Sequence, residues 1–351
     1  MATITVLGAG MMGSALCVPL VDRGHEVRLV GTPLDTEIID SLRAHGVHPR
    51  LKLELPRQIR AFQEPELEVA LAGSEALVLG VSSAGIRWAA SRLAGLPSLE
   101  LPLAMITKGL EWSGQELRVL PDVLRDLFPQ SARSRLEPVG VAGPCIAGEL
   151  ARRVDTCVVF TGRDPSAVER FAELASGPYY FVQRSHDVLG VEVCAALKNA
   201  YAMGIGFAAG LHERAGGQPG SVAMHNYESA VFAQSVLEMQ RLVQVIGGDP
   251  ASAVGLAGVG DLDVTCNGGR TGRFGKLLGL GLAMPDAVAA MQGATLECLE
   301  VLDVLRNALP GLEARGVLAP SELPLLRQLI RVVHDEAPIA MPFAAFVRGS
   351  R

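Results

Sequence analysis

Lysine is the scarcest charged residue of this 351-residue chain, because only four of its 31 Lys and Arg residues are lysine. The four are Lys52, Lys108, Lys198 and Lys276. Arginine therefore serves wherever a positive charge is sufficient. A lysine kept inside apolar sequence indicates chemistry that a guanidinium cannot perform, since guanidinium does not give up its proton at working pH.

Features that mark several other classes of protein are missing as well. The formal charge is −6, with no lysine-rich run or basic stripe, so we expect no nucleic-acid partner. No uninterrupted apolar stretch is long enough for a bilayer, and MATITVLGAG has no charged region before its apolar run. We therefore expect neither stable membrane insertion nor a signal peptide.

Cysteine and histidine show no arrangement typical of a metal or disulfide framework. The six cysteines form no CxxC pair, and the seven histidines have no metal-ligand spacing. GxSxG and HExxH motifs do not occur. The sequence predicts reduced core thiols in a cytoplasmic protein, with no metal and no serine nucleophile.

Short apolar runs alternate with helical patterns in the first half of the chain. Continuous apolar strands separated by helices predict a parallel sheet covered on both faces. After about residue 186 the strand signal disappears, and the rest reads as helices broken at glycine and proline clusters. We predict a dinucleotide-binding domain over 1–186 and a helical substrate domain over 187–351. The predicted strands are TITVL (3–7), EVRLV (26–30), EALVLGV (75–81), LPLAMIT (101–107), PVGVA (138–142), CVVF (157–160) and YYFVQ (179–183).

The first strand runs into VLGAGMMGSAL, a GxGxxG pattern that opens a helix. The first glycine makes the tight turn, the second admits a pyrophosphate, and the third lets the helix pack on the sheet. A glycine-rich turn without a ligand is the alternative that this context disfavours. The predicted cofactor-binding residues are Gly8, Gly10, Met11, Met12 and Gly13.

The residue that would read the adenosine ribose is not evident. At the end of the second strand, where a typical NAD site has an acidic residue, the chain has Gly31 and Thr32. Asp35 is interpreted as the cap of a helix beginning near Thr36. NAD and NADP both remain open as cofactor.

Lys198 lies in GVEVCAALKNAYAMGIGF, where apolar side chains cover every direction of a helical turn. A buried lysine costs desolvation free energy unless it is paired or faces a cavity, and it suits a proton donor. Lys108 follows a strand and should lie at the carboxyl edge of the sheet, although a surface lysine is the ordinary alternative.

GVGDLDVTCNGGRTGRFGKLL (258–278) places Asp261 in a glycine-flanked turn and Arg270 at the start of a helix. Backbone amides at a helix start, together with an arginine, can hold a phosphate. A capped helix with a basic solvated face is the alternative.

These segments together resemble the NAD(P)-dependent glycerol-3-phosphate dehydrogenase family. Matching pieces run along nearly the whole chain, with the family's order and spacing. They are GAGMMGSAL, ITKGLE, GVAGPCIAGELA, HDVLGVEVCAALKNAYAMGIGFAAGL, GLAGVGDLDVTC and GGR.

The resemblance implies an α/β fold in which an N-terminal Rossmann-type domain precedes an all-helical C-terminal domain, with the reaction in the cleft between them. Hydride would pass from NAD(P)H to the C2 carbonyl of dihydroxyacetone phosphate. Lys198 would exchange the proton, Asp261 would orient it, and Lys108 would hold substrate oxygens. The implied substrate-binding residues are Asn199, Thr265, Arg270 and Thr271, and the implied assembly is a homodimer.

Two positions depart from the family pattern. Thr271 stands where the family has Asn, and Glu228 stands where NTKAA has Lys. A negative charge near an anion site would weaken phosphate binding if the side chain points inward. Three readings stay open: the family activity, reduction of another small ketone or keto acid as in ketopantoate reductases and opine dehydrogenases, and a cofactor-binding sensor without turnover.

Overall fold

The computed structural model describes residues 1–96, 101–133, 136–220, 224–267 and 269–348. The chain forms two compact units. The first unit is Met1–Lys108 with Leu120–Val188, and the second is Gly109–Val119 with Leu189–Arg351. The division at 186/187 stays a prediction, and residues 109–119 belong to the second unit, which no pattern in the sequence indicated.

The strands of the described residues all lie before residue 186. Most of them are short runs rich in apolar and β-branched residues. They are β1 (Thr3–Leu7), β2 (Glu26–Val30), β3 (Val47–His48), β4 (Leu53–Glu54), β5 (Ile59–Phe62), β6 (Ala76–Leu79), β7 (Leu103–Met105), β8 (Leu110–Trp112), β9 (Leu117–Val119), β10 (Val139–Ala142), β11 (Thr156–Thr161) and β12 (Tyr180–Ser185).

Eight of these strands form one sheet in the order β12-β11-β10-β7-β6-β1-β2-β5. Its neighbours run parallel, apart from the antiparallel pair β10 and β11. The β3–β4 and β8–β9 pairs are separate antiparallel hairpins. The predicted parallel sheet is confirmed, and because β1, β6 and β7 are parallel neighbours, their carboxyl ends share one edge.

Helices cover the sheet and make up most of the second unit. In the first unit they are α1 (Met11–Asp22), α2 (Thr36–His45), α3 (Leu67–Leu71), α4 (Ile86–Ala94), α5 (Leu120–Leu127), α6 (Gln130–Arg133), α7 (Ala147–Leu150) and α8 (Pro165–Ala175). From residue 188 onward they are α9 (Val188–Arg214), α10 (His225–Val245), α11 (Asp261–Cys266), α12 (Arg270–Gly279), α13 (Met284–Ala290), α14 (Glu297–Ala314), α15 (Pro324–His334) and α16 (Phe343–Arg348).

Glycines allow α9 and α12 to approach backbone to backbone. A Cβ added at Gly206 would lie 2.4 Å from the carbonyl oxygen of Gly272, and one at Gly210 would lie 2.1 Å from that of Lys276. Any side chain at either glycine would therefore force the two helices apart. This contact holds the first turn of α12 beside the central part of α9.

Helix α9 is long and apolar enough to cross a membrane by length and composition alone. From the sequence we had expected no stretch of that kind. In its most apolar window, 89% of the residues are buried inside the structure. A helix packed on all sides needs apolar residues on all sides, so burial against the rest of the chain accounts for this composition.

Candidate active site

The centre of α9 brings one lysine against one carboxylate inside the second unit. Lys198 is 8% exposed and Asp261 is 1% exposed. Nζ of Lys198 donates a hydrogen bond to Oδ1 of Asp261. Burying two charges costs several kcal/mol per ion, about what their attraction returns. The pair is therefore poor evidence for stability and good evidence for a site that uses the charges.

Asp261 directly follows an irregular turn of the backbone. One π-helical turn, Leu256–Gly260, directly precedes it, and Asp261 begins α11. Gly258 is required within that turn, since an added Cβ would lie 2.0 Å from the carbonyl oxygen of Ala253. The buried hydroxyl of Thr265 donates to the backbone carbonyl of Asp261 at 2.6 Å. Single π-helical turns within helices occur frequently at functional sites.

Glu297, which the sequence analysis did not single out, joins two of the predicted residues. Its Oε2 accepts a 2.7 Å hydrogen bond from Nδ2 of Asn199, which is 5% exposed and follows Lys198. Its Oε1 lies 4.0 Å from a guanidinium nitrogen of Arg270. Glu297 is the first residue of α14 and lies 98 residues after Asn199, so no local motif marks it.

The amino terminus of α12 offers donors for an anion. Its N-cap, Gly269, has no side chain to occupy the first amides, and Arg270 is half exposed beside them. Thr271 is buried, at 6% exposure. Uncapped amides of a ten-residue helix, together with a guanidinium, suit a phosphate group. The substrate-binding role of Arg270 and Thr271 stays a prediction.

The departure at Glu228 places negative charge near this site. Nδ1 of His225 donates to Oε2 of Glu228 at 2.9 Å. Burial raises the pKa of the Cys266 thiol to about 12, with Asp263 and Glu228 adding to the rise and Lys198 opposing it. Glu228 and Lys198 therefore both lie within electrostatic range of the same thiol.

The three glycines of the predicted dinucleotide turn in the first unit differ in how closely other backbone atoms approach them. Gly8 has φ +116°, and a Cβ there would lie 2.6 Å from the carbonyl group of Gly80. A Cβ on Gly13 would lie 2.2 Å from the carbonyl oxygen of Gly8, so both positions are closed to other residues. Gly10 has no atom within 4 Å of its Cβ position. The open side of the turn is therefore at Gly10, where a pyrophosphate has room.

Lys108 lies just beyond β7, at the carboxyl edge of the sheet. It lines a small cavity that also contacts Met12 of α1. Gly143 and Cys145 also line this cavity. Met11 and Met12 begin α1 and are partly exposed. The structure therefore brings Lys108 next to the helix that follows the glycine turn.

Two interpretations of single side chains were wrong. Asp35 immediately precedes α2, but its carboxylate makes no cap hydrogen bond and accepts instead from the backbone N–H and hydroxyl of Thr32. Cys157 is exposed and is not a core thiol, whereas Cys17, Cys194 and Cys298 are buried. Within the described ranges, no cluster of three or more His, Cys, Asp or Glu side chains could hold a metal.

Comparison with known proteins identifies the class. Residues 3–168 match the model of the NAD-dependent glycerol-3-phosphate dehydrogenase N-terminus, and residues 187–343 match that of the C-terminus. The NADP(+)-dependent glycerol-3-phosphate dehydrogenase of Archaeoglobus fulgidus is 38% identical over 290 residues, 82% of this chain and 83% of that protein. The glycerol-3-phosphate dehydrogenase [NAD(P)+] of Xylella fastidiosa strain M23 is 32% identical over 95% of this chain and 89% of that protein.

A solved structure agrees with these matches. Glycerol-3-phosphate dehydrogenase from Coxiella burnetii has a TM-score of 0.80 and 28% identity, covering 100% of this chain and 99% of that one. The fold and the matches define an NAD(P)-dependent dehydrogenase. The chain belongs to the NAD-dependent glycerol-3-phosphate dehydrogenase family, and the predicted Rossmann-type domain followed by a helical domain is confirmed.

Proposed function

We propose that this chain reduces dihydroxyacetone phosphate to sn-glycerol 3-phosphate with NADH or NADPH. The observation that carries this proposal is the buried contact of Lys198 with Asp261, because a ketone reduction needs a proton donor held out of bulk water. Arg270 at the open helix terminus supports a phosphorylated substrate. The names of the relatives give the same reaction class.

Lys198 delivers the proton in this scheme. When the ketone is reduced, negative charge develops on its C2 oxygen, and the ammonium at Nζ stabilises that charge and gives up a proton. In the reverse direction neutral Nζ takes the proton from the alcohol. Asp261 holds the ammonium in position, and the short bond from Thr265 to the Asp261 carbonyl fixes the turn beneath it.

Substrate contacts come from the surrounding polar groups. Arg270 and the first amides of α12 hold the phosphate, with the hydroxyl of Thr271 at the same terminus. Asn199 orients the substrate oxygens while Glu297 fixes its amide. Lys108 holds substrate oxygens as well, the role that the resemblance to the family implies for it.

The glycine turn holds the nicotinamide dinucleotide, which supplies the hydride when bound. Gly8 and Gly13 shape the turn, Gly10 leaves room for the pyrophosphate, and Met11 and Met12 place the first amides of α1 towards it. We further propose a cytoplasmic homodimer without stable membrane insertion or nucleic-acid partner, whose product serves phospholipid biosynthesis.

The direct test is oxidation of NADH and NADPH at 340 nm, each with dihydroxyacetone phosphate and with unphosphorylated dihydroxyacetone. We expect turnover that depends on the phosphate. Equal rates with both ketones would favour a reductase of another small ketone, and dinucleotide binding without turnover on any ketone would favour a sensor. Glu228 and Thr271 would then be the first positions to test for a changed pocket.

Replacing Arg270 with leucine should raise KM for dihydroxyacetone phosphate by roughly 10- to 100-fold, the equivalent of losing a charge-assisted hydrogen bond. We expect a smaller change in kcat, because the phosphate is remote from the reacting carbon. The measurement is steady-state kinetics with the ketone varied.

The matched control is Arg273→Leu, because Arg273 is exposed on the same helix three residues further on. It should leave KM within about twofold, since a surface change away from a site has little effect. Equal effects from the two variants would mean that the net charge of α12, and not a phosphate contact of Arg270, determines affinity.

A further inference from the structure

Two side chains from outside the glycine motif, Asp35 and His48, hold the glycine turn at Ala9. The hydroxyl of Ser14, on the helix that follows the turn, also donates to the Ala9 carbonyl at 3.1 Å. Asp35 Oδ2 accepts a 3.2 Å hydrogen bond from the backbone N–H of Ala9. His48 Nε2 lies 3.1 Å from the carbonyl oxygen of the same residue. Ala9, Asp35 and His48 are all buried, at 0%, 6% and 0% exposure. Both peptide groups of the residue between Gly8 and Gly10 are therefore fixed by side chains.

The hydrogen-bond pattern determines the form of the histidine ring. The backbone N–H of Leu51 donates to Nδ1 of His48 at 3.1 Å, so Nδ1 carries no proton. Nε2 must then carry the proton that it donates to the Ala9 carbonyl. Burial lowers the pKa of His48, which agrees with a neutral ring. The positive charge of Arg50 lowers this pKa further, whereas the negative charge of Asp35 raises it.

The carboxylate of Asp35 uses one of its two oxygens to hold the turn. Among the residues that the structure describes, Asp35 accepts three side-chain hydrogen bonds, and all of them end on Oδ2: from the N–H of Ala9 and from the N–H and hydroxyl of Thr32. This oxygen is occupied within the protein, so it does not serve the ribose hydroxyls as the acidic residue of a typical NAD site does.

We propose that Asp35 and His48 form a clamp on Ala9 that presets the dinucleotide turn, and that they act as positioning residues for NADH and NADPH alike. This proposal rests on the proposed function in one respect, namely that the glycine turn binds the dinucleotide. A backbone that is already held in its bound conformation loses less conformational freedom on binding, so affinity for the dinucleotide rises.

The test separates the two bonds of His48 with two variants. In His48→Gln the amide nitrogen can replace Nε2 as donor to Ala9, whereas in His48→Asn the amide oxygen can replace only Nδ1 as acceptor from Leu51. We expect Gln to leave the Kd for NADH and NADPH within about twofold, and Asn to raise both by roughly three- to tenfold, the equivalent of one hydrogen bond. The measurement is isothermal titration calorimetry of the purified full chain with each dinucleotide.

Asp35 gives an independent pair of variants. Asp35→Asn keeps one oxygen for all three donors and should preserve both Kd values, while Asp35→Ala strands the buried N–H of Ala9 and should raise both by about tenfold or more. The ratio of the two Kd values should stay unchanged in every variant. KM for dihydroxyacetone phosphate should not move, and thermal unfolding of each variant shows whether the fold is intact.

Several results would overturn the clamp. One is a Kd for the dinucleotides in His48→Asn equal to that of the wild type, and another is an equal loss of affinity in the Gln and Asn variants. A third is a changed ratio of the NADH and NADPH Kd values in Asp35→Asn, which would mean that Asp35 recognises the ribose. If a His48 variant does not fold, the Asp35 pair decides. A wild-type chain that binds neither dinucleotide would contradict the proposed function itself, whereas binding that is indifferent to these variants removes the clamp alone.

Discussion

Lys198→Met should lose ketone reduction by roughly 10²- to 10⁴-fold in kcat, the contribution typical of a general acid. Methionine keeps the length and apolar stem of lysine but has no proton to give. Because methionine keeps the volume of the lysine stem and the dinucleotide is held by the glycine turn, Kd for NADPH should stay close to that of the wild type. The measurements are steady-state kinetics and calorimetric titration of the dinucleotide.

Loss of a buried charge has a second consequence, which the controls must separate from catalysis. Methionine leaves Asp261 buried without its cation, a change that typically costs about 3–5 kcal/mol of stability. Lys198→Arg keeps a cation that can pair with the carboxylate but does not release its proton, so it should retain more stability and still lack turnover. A rate near wild type in the arginine variant would show that Lys198 acts through charge alone.

Lys276→Met is the matched control for the same chemical change. Lys276 is on α12 and pairs with Glu213 at 2.6 Å, with 38% of its side chain exposed. Its kcat should stay within about twofold of wild type, since a partly exposed ion pair outside the proposed site has no part in the proton transfer. An equal loss in the two methionine variants would contradict the assignment of the proton to Lys198.

The sequence was sufficient for those parts of the fold that carry a strong local pattern. β1 and β2 begin and end at the predicted residues because each is a short run rich in β-branched and aliphatic residues that stops at a glycine, Gly8 and Gly31 respectively. β3 and β4, of two residues each, carry no periodic signal, and the β8–β9 hairpin comes shortly after the predicted strand that ends at Thr107, without any change in composition. Clustering of that hairpin with the second unit depends on packing, such as Trp112 against Gly311, which no short pattern encodes.

The site was predictable to a similar extent. Scarcity of lysine and the apolar surroundings of Lys198 indicated a buried cation, and the glycine-flanked Asp261 proved to be its partner. Glu297 was missed because its contact with Asn199 joins residues 98 positions apart, and an acidic residue at a helix start is common for electrostatic reasons alone. The side chain of Asp35 was misassigned because its position before a helix predicts a cap, while its donors are Ala9 in the glycine turn and Thr32 in its own loop, neither of them in α2.

Asp261→Asn should lower kcat by roughly 10²-fold or more, because the ammonium of Lys198 loses the carboxylate that positions it and favours its protonated form. A cation without a counter-charge releases its proton at lower pH. Reduction needs the protonated amine, so the alkaline limb of the kcat profile should move to lower pH in the variant. A full pH–rate profile with saturating dihydroxyacetone phosphate and cofactor measures both effects together.

Asp263→Asn provides the same substitution two residues away, on an exposed position of α11. It should leave both the rate and the alkaline limb unchanged, because an exposed carboxylate is screened by solvent. A lower rate in Asp261→Asn with an unmoved limb would mean that the carboxylate supports the π turn and the fold without tuning the proton of Lys198. A moved limb would instead tie the protonation of Lys198 to Asp261, since the amide keeps the shape of the carboxylate and removes only its charge.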